Sequence, residues 1–99
     1  MAEPEHVQVL DVEDCVEPGE EPGYYAIYLR LSRAPSARWR AQLVHEWQRF
    51  PAGVKRRATV VDDRLRLEIH GDDKVREQVD FAVALVARTN AAVAGRPTV

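Results

Sequence analysis

Apolar and polar positions alternate most clearly over 24–32, YYAIYLRLS. Tyr25, Ile27, Leu29 and Leu31 fall on one side of an extended chain, and Tyr24, Ala26, Tyr28, Arg30 and Ser32 on the other, the two-residue period of a half-buried strand. A weaker strand is predicted over 6–14, HVQVLDVED, where Val7 and Val9 alternate before the phase slips at Leu10 and Val12, as a bulge would make it slip. Between the two, residues 17–23 hold two prolines, two glycines and three acids and read as a mobile loop. From Ser36, a good N-cap, the period lengthens: Trp39, Leu43, Trp47 and Phe50 recur at helical spacing until Pro51 and Gly53 end the run. Residues 54–70 return to alternation around Asp62-Asp63. A two-residue turn there opposes Val60 to Leu65, Thr59 to Arg66, Ala58 to Leu67 and Arg57 to Glu68, and apolar faces match on both arms. Gly71-Asp72-Asp73 then leads into a last helix, with an Asp expected as its cap and Val75, Val79, Ala82, Val83, Val86 and Asn90 as its buried stripe; Gly95 and Pro97 close it.

The order is ββαββα. Each strand has one apolar face and each helix one apolar stripe. The economical packing is therefore an α+β two-layer sandwich, a four-stranded, mainly antiparallel sheet with two helices on one face. Residues 1–23 form an acidic N-terminal segment, 24–95 the compact core and 96–99 a tail. The halves of the chain do not align residue by residue, so no duplication is inferred.

Ninety-nine residues suffice for one domain without disulfides or metal. The longest apolar run, Phe81 to Ala87, is far short of the roughly 20 residues that span a bilayer, and the acidic start has no hydrophobic signal region. A lone cysteine, Cys15, offers no internal bridge and fits a reducing compartment, so a cytoplasmic protein is expected, with no membrane partner. Charge changes the picture more. Residues 1–23 hold eight acids and no Lys or Arg, whereas 24–99 hold all fourteen bases against eight acids, a formal +6 within a chain of net −2. Twelve of the fourteen bases are arginine, the residue suited to bidentate pairing and stacking.

No catalytic constellation stands out. His6, His45 and His70 lack HxxxH or HExxH spacing, and a single cysteine does not complete a zinc site. His70-Gly71-Asp72-Asp73 is the one cluster with metal-like ligands, and a strand end followed by a helix cap accounts for it. Ser32 and Ser36 have no GxSxG context, and acids around Cys15 disfavour a thiolate nucleophile. Asp62-Asp63 and Asp72-Asp73 stand where turn and cap chemistry selects Asp. No enzyme activity and no cofactor are expected. Trp39 and Trp47 share the helix stripe with Leu43 and Phe50 and read first as core, with one indole at the stripe's edge as a possible anchor.

The outer sheet face is the most suggestive feature. Tyr28, Arg30, Lys55, Arg57, Arg64 and Arg66 should share it, together with Tyr24, and they are the candidate partner-binding residues. The leading expectation is a protein-interaction module (adaptor, inhibitor or regulatory subunit) with a protein partner. The alternative is a single-stranded nucleic-acid-binding domain that stacks and neutralises its ligand on this face, gated by the acidic N-terminus. Against it, Lys55 to Val61 contains no aromatic of the kind RNA-recognition strands carry. A homodimer is compatible with either, with edge-strand pairing as its route.

Overall fold

The structure, a computed structural model, describes residues 5–51 and 56–95. Four strands and two helices follow the expected order: β1 (Val9–Pro18), β2 (Tyr24–Leu31), α1 (Ala37–Arg49), β3 (Ala58–Val61), β4 (Arg64–His70) and α2 (Val75–Val93). The sheet is antiparallel throughout, in the order β1-β2-β4-β3, with both helices on one side of it. The β3–β4 register is the one that alternation dictates, Val60 opposite Leu65 and Ala58 opposite Leu67. Asp62, at φ +56°, takes the left-handed conformation that closes the turn and that Asp tolerates better than most residues.

One core joins the layers. Ile27, Leu29 and Leu31 of β2 and Leu65, Leu67 and Ile69 of β4 face Trp39 and Leu43 of α1 and Phe81, Ala82, Leu85, Val86 and Val93 of α2. Full burial of each large side chain contributes about 1.5–3 kcal/mol, so the β2 and β4 inner faces carry much of the stability. Ser36 caps α1 as expected, its hydroxyl accepting from Trp39 N–H at 3.1 Å. The helices meet edge-to-face through Phe50 and Phe81, 5.1 Å between ring centroids.

Three local expectations change. Strand β1 runs on to Pro18, so part of the predicted loop is sheet; register shifts between Val9 and Asp11 and between Val12 and Val16 absorb the phase slip. Asp73 is not a helix cap. Lys74 holds that position without a side-chain bond, while Asp73 accepts from His70 N–H at 2.8 Å and makes a two-pronged pair with Arg56 at 2.8 Å each. Finally, Val75 and Val83 are exposed, and Phe81, Leu85 and Thr89 take the buried positions instead. The α2 stripe turns toward α1, where Phe50 and Arg88 meet, and leaves its opposite flank open. The expected tail, 96–99, lies outside the described residues.

Candidate interaction surface

Strand register gathers the outer-face residues. Tyr28 stands opposite Arg66 and Arg30 opposite Arg64, with Arg57 just before β3. Lys55 lies outside the described residues. The Arg64 guanidinium sits 4.3 Å from the centre of the Tyr28 ring, a cation–π contact across the strands.

This face is already occupied. Asp11 holds Arg30 through two bonds of 2.8 and 2.7 Å, Glu13 lies 3.4 Å from Arg64, and Glu20 lies 2.5 Å from Arg57. Tyr28 donates its hydroxyl proton to Glu17 at 2.9 Å. Arg66 pairs within its own strand, donating to the buried Glu68 at 2.9 Å. The parity kept by the β1 bulges explains the coverage: Val9, Val12 and Val16 lie opposite inner-face residues, so Asp11 and Glu17 fall on the outer face beside Arg30 and Ala26. The ring of Tyr28 is consequently buried, at 6% exposure, and offers no open face for a base to stack on.

Glu68 anchors the covering segment. Its carboxylate accepts the Glu20 backbone N–H at 2.9 Å, and that bond, with Arg66 and Arg57 nearby, holds it below the usual carboxylate range against the opposing effect of burial. Gly19 makes the approach possible, because a Cβ there would lie 2.9 Å from Glu68 Oε1 and from the Tyr24 backbone. Asp11 is lowered in the same direction by its bonds from Arg30.

Cations without an ion pair among the described residues lie elsewhere. Arg38, Arg40 and Arg49 project from α1 with His45, and the acid of that helix, Glu46, is buried beneath them, 3.8 Å from Arg88. The positive character that the sequence assigns to the sheet is thus carried by the helix layer.

A second surface was missed by the sequence reading. Among the described residues six large hydrophobics are exposed, and five of them, Leu10, Val12, Val16, Val75 and Val83, lie on β1 and α2; Val44 is the sixth. Val12 and Val16 point to the inner side of the sheet, yet no helix covers them. A groove of about 610 Å³ opens at the start of β1, between His6–Val9 and the α2 flank of Val83, Val86, Ala87, Asn90 and Ala91, and polar groups of His6, Gln8 and Asn90 share its lining with the apolar side chains. The available signal was breadth: Val75, Val79 and Val83 together with Phe81 and Leu85 span a wider arc of the helix than one core-facing stripe uses.

Among the described residues no three His, Cys, Asp or Glu side chains converge as metal ligands, and no helix is long and apolar enough to cross a membrane. His70 is engaged locally, accepting from Asp72 N–H at 3.1 Å and meeting the Tyr24 ring edge-on. The fold and surfaces define a two-layer α+β domain with a self-covered sheet and an uncovered apolar side. Comparison with protein-family models, curated proteins and solved structures finds no match to the chain.

Proposed function

We propose that the protein is a small non-enzymatic protein-interaction module that docks through its β1–α2 side. The observation that carries this reading is the clustering of exposed valine and leucine on that one side, while the outer sheet face is closed by the chain's own acids. Apolar patches rimmed by polar residues are where protein partners bind. Affinity capture with the wild-type chain and with Val12→Asp and Val83→Asp tests it. Stoichiometric partners retained by the wild type and lost by both variants support the reading; partners held equally by all three sink it, as does substrate turnover abolished by a point mutation.

A second reading, single-stranded nucleic acid on the sheet face, draws support from the ion pairs themselves, since Asp11, Glu13 and Glu20 sit where phosphates would. Combining Asp11→Asn, Glu13→Gln and Glu20→Gln uncovers Arg30, Arg64 and Arg57 while leaving β1 in place. Under this reading the variant gains salt-sensitive oligonucleotide binding at low ionic strength, and Arg57→Glu with Arg66→Glu removes it. An anisotropy titration showing no gain would end it.

A further inference from the structure

We infer that the exposed face of α1 is a docking surface for duplex DNA, the helix lying in the major groove with its arginines on the phosphates of both strands. This surface shares no residue with the β1–α2 side.

The helix sorts its charges. Arg38, Arg40, His45 and Arg49 are exposed, whereas Glu46, the one acid of α1, is buried at 5% exposure, bonded by Gln42 at 2.8 Å and 3.8 Å from Arg88. At roughly 100° per residue, Arg38, His45 and Arg49 stand in one line, and Arg40 stands about 160° round on the opposite edge. Between these edges the exposed strip is Ala37, Ala41, Val44 and Gln48.

The surroundings keep this face positive. Helix α2 runs antiparallel beside α1, since Trp39 bonds Asn90 and Phe50 meets Phe81. From Phe81 to Gly95 α2 has no acid, and Arg88 is its one charged residue. The exposed acids Glu77 and Asp80 lie in its first turns, and among the described residues neither forms an ion pair with an α1 arginine. Glu5 is attracted by Arg33 and Arg38, but its carboxylate is taken up by the Ser36 N–H at 2.9 Å. The chain is formally −2, yet Asp11, Glu13 and Glu20 pair on the outer sheet face, away from the helix layer.

What the face has and lacks selects its occupant. A protein interface needs an apolar centre, and a membrane-surface helix needs Trp, Phe or Leu among its bases; this face offers one large hydrophobic, Val44. Single strands need open aromatic rings to stack on, but Trp39 is fully buried, and Trp47 is half-buried and donates its N–H to Arg56 C=O at 2.7 Å. Phosphates need no apolar centre, because counterion release drives their binding and arginine takes them two-pronged. A helix of about 10–12 Å diameter fits the major groove of DNA, about 12 Å wide. Basic edges then meet both strands. The small strip between them lets the helix approach the bases, with Val44 against thymine methyl groups and Gln48 toward adenine.

Fluorescence anisotropy with a labelled DNA duplex of about two helical turns, titrated between ~50 and ~200 mM salt, tests this. The full chain is compared with Arg38→Gln plus Arg49→Gln, with Arg40→Gln and with the α2 control Arg76→Gln. Glutamine is a good helix former, so helical circular dichroism should persist. The expected wild-type Kd is on the order of 10 µM at the lowest salt, with a log–log salt slope near about −3 for three phosphate contacts. The double variant should bind about 10-fold more weakly with a slope shallower by about two, and Arg40→Gln shallower by about one. The control should match the wild type. No duplex binding at the lowest salt, or binding indifferent to the α1 variants, overturns the inference. So does a single strand, duplex RNA or poly-glutamate bound as tightly as the DNA duplex.

Discussion

Asn90 does more than its place on the α2 stripe suggests. Its Oδ1 accepts from Val7 N–H at 3.0 Å and from Trp39 Nε1 at 2.9 Å, and its Nδ2 donates to Val7 C=O at 2.8 Å. One buried amide thus ties the chain before β1, α1 and α2 together. Helical spacing shows that residue 90 faces inward; it does not show which backbone arrives to meet it. Asn90→Ala strands two donors and an acceptor, so a loss of about 3 kcal/mol in urea unfolding is expected. A loss under 1 kcal/mol would mean water replaces the clamp. Asp73 gives a pH signature. The two-pronged bond from Arg56 comes first among the causes that lower its pKa from 3.8 to about 2, with the His70 N–H adding to it. A carboxylate depressed on folding contributes stability that is present above its unfolded pKa and lost as pH falls through the folded value. Asp73→Asn should therefore cost about 1–2 kcal/mol at pH 7, with the gap to wild type closing between pH 4 and 2. A gap unchanged at pH 2 would assign the loss to packing.

Element by element, legibility followed local density of information. Strands β2, β3 and β4 and helix α1 could be read because their alternation, turn and cap signals agree within a few residues. Strand β1 was partly legible, since Val7, Leu10 and Val12 signal a bulge but not where pairing resumes. Its continuation to Pro18 depends on β2 being alongside: the N–H of Gly19 bonds Tyr24 C=O at 2.9 Å, an interaction absent from an isolated segment. For this reason residues 1–23 are not a detachable cover. Val7 is buried in the core, and β1 forms one edge of the sheet. Deleting 1–23 should abolish cooperative unfolding and expose dye-binding apolar surface rather than free the basic face. A 24–99 chain that unfolds cooperatively, with near-native stability, would refute this role for β1.

Across the whole molecule, charge is redistributed relative to the linear sequence. Asp11, Glu13 and Glu20 fold onto the basic sheet and pair with Arg30, Arg64 and Arg57, whereas Arg38, Arg40 and Arg49 of α1 carry positive charge without an ion pair among the described residues. Of the candidate residues, Tyr28, Arg30, Arg64 and Arg66 were placed together correctly by strand parity, with Arg57 beside them. That Tyr28, Arg30, Arg57 and Arg64 are engaged was beyond reach of any local pattern, because their partners are 11 to 51 residues away, whereas Arg66 meets Glu68 two residues along its own strand.

By itself the sequence determined the element order, the β3–β4 register, the Ser36 cap and the inner faces of β2 and β4. Each of these is set by steric and hydrogen-bonding preferences among near neighbours, which act before the chain is compact. Only the tertiary structure decided which charges are cancelled, which valines stay exposed and what Asn90 and Asp73 hold. Those outcomes depend on segments distant in sequence meeting in space, where one carboxylate or amide gains a partner whose identity no neighbouring residue encodes.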